Sequence, residues 1–378
     1  MSGLYIHVPF CKQACSYCDF YFVTRQEYKQ DFVDELLREI HSKKDSRFSQ
    51  EPVKTIYFGG GTPSLLTSSQ VDSILNAINE VFKVEPSEIT FEMNPDDVSK
   101  EFLSGLKSAG VNRASMGVQT FNPELLTFMH RAHTSEEAFR CLELLQASDF
   151  NVFTVDLIYG NPGQTLESLK NDIDTILKFD PPHVSAYSLT VEPQTRLGKQ
   201  VKLGRIMPPE NDTVAQHFDL VIEKLAQAGI QQYEVSNYAK PGKEAIHNSN
   251  YWEHVNYLGL GPGAHSFWWN KDHKSAERWS NRPNFKNYLS NGWEKSYEKE
   301  HLGRDDLAEE RLMLGLRTRT GVSFDELKKN YHFSLSSKQL SYLQKLADED
   351  KVIMDDRIRL TTKGLKIADA ILLDLVTM

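Results

Sequence analysis

Three of the four cysteines, Cys11, Cys15 and Cys18, form a C-x3-C-x2-C run near the N-terminus. Thiolates are soft ligands suited to zinc or to an iron–sulfur cluster. A structural zinc site asks for four closed ligands, and the remaining cysteine, Cys141, sits far along the chain on a predicted helix. Three thiolates on one short loop suit a [4Fe–4S] cubane. Each takes one iron, and the fourth iron stays open for a ligand. A structural zinc loop or three unrelated thiols are the other readings. The run directly follows a predicted strand, which favours a loop built for a cluster. A disulfide scaffold would spread more cysteines along the chain, and thiolates held for metal fit a reducing compartment.

Further candidates recur at later strand ends. Gly59-Gly60-Gly61-Thr62-Pro63 follows the second predicted strand. Glycines let the backbone adopt positive φ and approach a ligand closely. The GK[ST] of a phosphate loop is missing, and a plain turn accounts for the run equally well. Glu92 lies near the end of the third strand, Gln119 at the end of the fourth and Asp156 within the fifth. A buried carboxylate needs a hydrogen-bonded or charged partner, which ribose hydroxyls would supply; by spacing alone a structural role serves each residue as well. The window 245–293 holds all five tryptophans (252, 268, 269, 279 and 293), His247, His254, His265 and a glycine-rich run from Gly259 to Gly263. Imidazole is a common heme ligand and clustered tryptophans suit a flat apolar porphyrin. A hydrogen-bonded histidine among core tryptophans is the alternative.

The elements that must position these residues alternate. Leu4–Val8, Val53–Phe58, Ile89–Met93, Arg113–Val118, Val152–Tyr159 and His183–Leu189 read as strands. Helical spacing fills Phe32–Ile40, Val71–Phe82, Phe102–Ala109, Ala138–Leu145 and Leu166–Leu177. Strand–helix alternation implies parallel strands with right-handed crossovers, and no GxGxxG follows the first strand. The fold class is therefore α/β, a partial (β/α) barrel whose active face lies at the C-terminal strand ends. A further helix is expected over Asp212–Ala228. Beyond residue 300 come helices at Asp306–Leu316, Ser323–Lys329 and Ser336–Asp348, a hairpin of Val352–Met354 and Ile358–Leu360, and a last helix at Thr361–Leu375. That order is winged-helix-like. The expected division is a barrel over 1–240, an aromatic and histidine-rich connecting segment over 241–299, and a small helical domain over 300–378.

Composition narrows the partners. The chain has 378 residues, 40% hydrophobic and 25% charged, enough for a sizeable core. Its formal net charge of −9 argues against nonspecific nucleic-acid binding, and acidic and basic residues nearly balance beyond residue 300. No apolar run approaches a membrane span and no secretory signal opens the chain. A cytoplasmic location is expected, with peripheral contact at a membrane surface left open.

The cysteine run, preceded by Leu4-Tyr-Ile-His-Val-Pro-Phe, resembles the radical SAM superfamily. The likeness is to its coproporphyrinogen-dehydrogenase-like branch, which includes heme chaperones, and extends over nearly the whole chain. The resemblance implies a [4Fe–4S] cluster on Cys11, Cys15 and Cys18, its open iron chelated by the amino and carboxylate groups of S-adenosylmethionine. It places Gly60, Gly61 and Thr62 beside the methionine amino group. Tyr5, Tyr17, Glu92, Gln119, Arg131 and Asp156 match other cofactor-contacting positions, with the planar fork of Arg131 near the carboxylate. His247-Asn-Ser-Asn-Tyr-Trp252 is similar to an HNxxYW motif of the chaperones, which implies His247 as a heme ligand, with His254 and His265 as rivals. Two departures separate the chain from the dehydrogenases. Phe20 stands where they carry a fourth cysteine, and the first strand begins at Leu4 without their N-terminal arm. The implied function is heme binding and delivery to an acceptor protein. Its rivals are an oxygen-independent coproporphyrinogen III dehydrogenase and a radical SAM tRNA-modifying enzyme; the acidic charge and the lack of a recognisable RNA-binding module count against the latter.

Overall fold

The computed structural model describes residues 2–148, 150 and 152–378. Six strands pair in parallel and in chain order: β1 (Ser2–Val8), β2 (Val53–Gly60), β3 (Val84–Met93), β4 (Arg113–Gln119), β5 (Val152–Tyr159) and β6 (His183–Ser188). Helices at Lys29–His41, Ser68–Val81, Lys100–Ser108, Ser135–Gln146 and Leu166–Leu177 fill the crossovers. An order that advances one strand at a time is that of a barrel, whereas a doubly wound sheet reverses partway. The barrel stays open. After β7 (Gln231–Gln232), β8 (Asn237–Ala239) pairs antiparallel to β6. On the other side β9 (Asn256–Leu260) runs parallel to β1 and leads into β10 (His265–Trp269), β11 (Ala276–Ser280) and β12 (Tyr297–Leu302). The expected partial barrel of radical SAM type is what forms.

Local chemistry explains the helices. Thr67 with Gln70, and Thr134 with Glu137, form capping boxes, and Ser99 and Thr165 each accept a first-turn N–H. These contacts satisfy donors that a helix start leaves unpaired. The sequence reading omits several short helices, among them Pro123–Met129, which Asn122 caps. That helix delivers the chain to Arg131.

The alternation along β3 to β6 decides what the barrel holds. Outward positions such as Phe91, Ala114, Met116, Val155, Leu157, Val184 and Ala186 are buried in one large apolar core. Inward positions are polar: Thr90 and Glu92 on β3, Arg113 and Ser115 on β4, Thr154 and Asp156 on β5, His183 and Ser185 on β6. A filled barrel packs branched apolar side chains inside. This one encloses a cleft of about 720 Å³.

The C-terminal region forms a three-stranded antiparallel sheet of β13 (Val322–Ser323), β14 (Val352–Met354) and β15 (Arg357–Leu360), with helices at Arg304–Gly315, Phe324–Asn330 and Ser337–Asp348. Leu312, Leu343, Ile358 and Ile371 belong to its own core. The single last helix expected over Thr361–Leu375 is two, Thr362–Leu365 and Ala368–Thr377. Gly364 pins the first turn against the Lys351 carbonyl, where a Cβ would come within 2.1 Å. The backbone then leaves helical geometry at Ile367 (φ −125°, ψ 27°) so that Ile371 and Leu375 reach the core. Among the described residues no helix is long and apolar enough to cross a membrane.

Candidate functional site

The cysteine loop leaves the C-terminal end of β1 and is tied down by its backbone. Cys11 N–H donates to the Val23 carbonyl (3.0 Å), Ser16 N–H to Met129 (2.9 Å), and Leu197 N–H to the Ser16 carbonyl (2.7 Å). Lys12 pairs with Asp96 (2.7 Å) and Asp97 (2.5 Å) in the turn after β3. Cys11, Cys15 and Cys18 are half-buried on this loop and line the roof of the cleft. Burial pushes the Cys11 thiol up to about 11 and the Cys18 thiol up to about 12, so binding a metal there means exchanging protons for it. Cys141 is elsewhere, buried in the apolar core with its Sγ 3.2 Å from Met116 Sδ.

Hydrogen bonds connect the cysteines to the neighbouring strand ends. Thr62 Oγ1 donates to Cys11 Sγ (3.6 Å), and Asn94 Nδ2 donates to Thr62 Oγ1 (3.3 Å). Arg131 donates through Nη2 to Asn94 Oδ1 (2.7 Å) and the Gly117 carbonyl (2.8 Å), and through Nη1 to Cys15 Sγ (3.6 Å). Asn94 thus joins the two groups that donate to sulfur. The glycine run lies flat beneath the loop. Gly60 has φ +104°, and a Cβ on Gly61 would stand 2.6 Å from the Phe10 carbonyl oxygen.

Two acids form the cleft wall below the roof. Glu92 accepts from the Tyr57 hydroxyl (2.7 Å), and burial raises its pKa to about 7. Asp156 accepts from Ser115 (3.3 Å), and burial raises its pKa to about 6. Gln119 holds a positive φ of 68° at the end of β4, a costly conformation for a non-glycine residue. Its Oε1, like Arg131 Nε, is buried without a partner. An unpartnered acceptor and an unpartnered donor in one cleft fit a ligand that carries both a donor and a carboxylate.

Of the residues singled out from the sequence, Cys11, Cys15, Cys18, Tyr17, Gly60, Gly61, Thr62, Glu92, Gln119, Arg131 and Asp156 all line this cleft. Tyr5 does not. It stands one ring behind, stacked on Tyr57 (6.0 Å) with its hydroxyl 3.3 Å from His7 Nδ1. His247 does not reach the cleft either. It is 1% exposed, with Nδ1 bonded to Thr55 Oγ1 (2.8 Å) and Nε2 to the Tyr251 hydroxyl (2.8 Å), and burial drives its pKa down to about 3. Neither nitrogen is presented to a heme iron in this arrangement. Its helix, Ile246–Trp252, closes the floor of the barrel and turns Asn248 to the cleft. His254 is buried between Tyr331 and Glu310, whereas His265 is exposed at the start of β10. None of the five tryptophans lines the cleft. Trp268 and Trp279 pack on Phe48 at 4.9 and 5.6 Å.

Tyr57, Asn94, Arg113, Ser115, His183 and Ser185 line the cleft without having been singled out. The signal for the last four was the polar residue at every second position of β4 to β6. Arg317 and Asp369, paired at 2.7 Å, reach the cleft from the C-terminal domain.

Residues 5–176 match the radical SAM superfamily, and residues 302–367 match the HemN C-terminal domain. The chain is 38% identical to the heme chaperone HemW of Bacillus subtilis (strain 168), over 92% of each chain. It is 35% identical to that of Lactococcus lactis subsp. lactis (strain IL1403), over 97% of this chain and 95% of the other. The solved structure of coproporphyrinogen III oxidase (HemN) from Escherichia coli, a radical SAM enzyme, is similar with a TM-score of 0.83 and 25% identity, covering 100% of this chain and 90% of that one.

Proposed function

Because the chain belongs to the HemW family of heme chaperones within the radical SAM superfamily, we propose that it binds heme and passes it to an acceptor protein, with a [4Fe–4S] cluster and S-adenosylmethionine held in the cleft. The observation that carries this reading is likeness over the whole chain to relatives described as heme chaperones. Cytoplasmic action fits the thiol-bearing site.

Cys11, Cys15 and Cys18 would hold the cluster, which supplies an open iron for the methionine moiety and an electron for its sulfonium when both are bound. The chain's own groups suit the rest of that cofactor. Arg131 Nε is free to donate to a carboxylate, and Gln119 Oε1 is free to accept. Glu92 and Asp156 face the cleft as acceptors for ribose hydroxyls. Gly60, Gly61 and Thr62 give a ligand close approach to backbone, and Tyr17 completes the wall. Tyr5 supports Tyr57 from behind. Heme is cargo, and His247 would have to give up its bond to Thr55 or Tyr251 to serve as its axial ligand.

The likeness to coproporphyrinogen III oxidase supports a second reading, a porphyrinogen-oxidising enzyme. One experiment separates them. Anaerobically reconstituted protein receives heme in one arm, and coproporphyrinogen III with S-adenosylmethionine and a reductant in the other. Saturable heme binding without multiple-turnover formation of protoporphyrinogen IX is expected. Absence of heme binding removes the chaperone reading, and multiple turnover replaces it with the enzyme.

A further inference from the structure

Two layers of side chains cross the inner face of β3 to β6, two residues apart. The upper layer is Glu92, Ser115, Asp156 and Ser185; the lower is Thr90, Arg113, Thr154 and His183. Register joins Thr90 to Arg113 and Thr154 to His183; between β4 and β5 it sets Ser115 beside Thr154, so Arg113 reaches Thr154 diagonally, its Nη2 donating to Oγ1 at 3.1 Å. The four lower residues are all at least nine-tenths buried, yet all line the cleft.

The lower layer has donors without acceptors. Thr90 Oγ1 and His183 Nδ1 have no partner. The Ala245 N–H donates to the Tyr233 hydroxyl (3.2 Å), which lies 2.9 Å from His183 Nε2; in the tautomer where that hydroxyl donates to Nε2, the His183 ring proton sits on the unpartnered Nδ1. A neutral imidazole that accepts at Nε2 carries its proton on Nδ1. Thr154 accepts from Arg113, so its hydroxyl proton is also free. Arg113 brings a charge that cannot be shed.

The acids around this layer offset part of the Arg113 charge and leave the other donors unpaired. Glu88 forms a buried ion pair with Arg113 (Oε2 to Nη1 3.7 Å) that offsets part of its charge, and the Glu88 oxygens also accept the Ile246 (2.9 Å) and His247 (2.8 Å) backbone N–H groups, so the Thr90 hydroxyl and His183 Nδ1 stay without a partner. Asp156 is one layer up and takes the Ser115 hydroxyl. Arg113 Nη1 also donates to the Lys243 carbonyl (3.1 Å), which makes it a strut for the floor. A strut has no need of two further buried donors left open beside it, because such groups are costly unless something accepts from them.

We infer that Thr90, Arg113, Thr154 and His183 form a carboxylate subsite at the floor of the cleft, which takes a propionate of the cargo heme. The inference rests on the chaperone reading above. It also gives the floor helix a purpose: Asn248 faces the same end of the cleft.

The test uses full-length reconstituted protein, titrated by absorbance with hemin and with hemin dimethyl ester, whose propionates are blocked. Wild type should bind hemin roughly tenfold or more tighter than the ester, the usual scale of a charge-assisted pair. Arg113→Gln should abolish that preference. Since Arg113 also braces the floor, Thr90→Val serves as the second variant. It removes an unpartnered hydroxyl at equal volume, so it should keep the melting temperature while narrowing the preference several-fold. Equal binding of hemin and ester by wild type overturns the subsite and leaves the chaperone reading standing, as does a Thr90→Val variant with an undiminished preference. Binding of neither compound overturns the chaperone reading itself and the subsite with it.

Discussion

The upper and lower layers of the cleft share four strands and lie two residues apart on each, yet carry opposite chemistry. The upper layer presents two carboxylates whose pKa values burial raises to about 7 and about 6. Its charge therefore follows pH and ligand. The lower layer presents a guanidinium that stays cationic, with open donors around it. Barrel geometry fixes where a ligand atom sits, and the residue at each inward position fixes which ligand atom it is. One cleft can then hold a hydroxyl-rich cofactor under its roof and an anionic group at its floor.

The comparison predicts that the roof and upper layer act together. Replacing Cys15 with Ala should have the largest effect of any change considered: loss of the cluster, read as iron and sulfide content and as visible absorbance. Cys141→Ala should retain the cluster, because that thiol sits against Met116 in the core. The reverse pattern would break the assignment. If the floor is independent of the roof, hemin binding should outlast the loss of the cluster.

Next in size is Asp156→Ala, expected to weaken S-adenosylmethionine binding roughly tenfold to a hundredfold, the range for hydrogen bonds to a charged group. Iron content and hemin affinity should not move. Unchanged cofactor affinity by calorimetry would remove the upper layer from the cofactor site, and a parallel loss of hemin binding would merge the two layers into one.

Much of this was legible in sequence because the signals were local. The cysteine spacing and the apolar strand runs need no tertiary information. The layers were harder to see. Parallel strands are usually apolar on both faces, so Thr90–Glu92 and Thr154–Asp156 looked like single polar interruptions, although they are the rows of a cavity. Arg131 follows a seven-residue helix, too short for periodicity to register. The HNxxYW segment was recognisable, but its burial was not. Thr55, which occupies His247 Nδ1, lies on β2, far away in sequence. Tyr5 has the inward parity of its strand and is still screened from the cleft by the ring of Tyr57.

The acids of the upper layer allow a test on the protein alone. The Glu92 pKa rises from an ordinary 4.5 to about 7 because burial disfavours the charge, offset by the Tyr57 hydroxyl and reinforced by Asp156. A carboxyl with a raised folded-state pKa contributes its stability in full below about pH 4.5 and loses it as pH climbs to 7. Glu92→Gln should flatten the stability profile over that window, measured by urea unfolding at a series of pH values. An Arg113→Gln profile should steepen there and not flatten, since the guanidinium does not titrate but its loss lets the Asp156 pKa rise further. An unaltered slope in Glu92→Gln would mean that its charge state is already fixed, and the pH contrast between the layers would fall.

The smallest effect is expected at the rim. Phe20 follows the last cysteine of the loop and is 63% exposed, although it borders the cleft. Its backbone, not its ring, serves the site, through a hydrogen bond that lowers the Cys18 pKa against the stronger opposing effect of burial. Phe20→Ser keeps that backbone and removes only an exposed ring. Stability should change by less than about 0.5 kcal/mol, as for surface substitutions outside the core, and the iron content should be unchanged. Hemin affinity is the informative reading. If cargo is held by its propionate at the floor, a ring at the opposite end contributes little and affinity should move by less than about threefold, well under 1 kcal/mol. A larger loss, with the hemin-over-ester preference intact, would show the porphyrin spanning the cleft from Arg113 to the rim. A larger loss with no preference to begin with would place the cargo at the rim and leave the floor to some other anion.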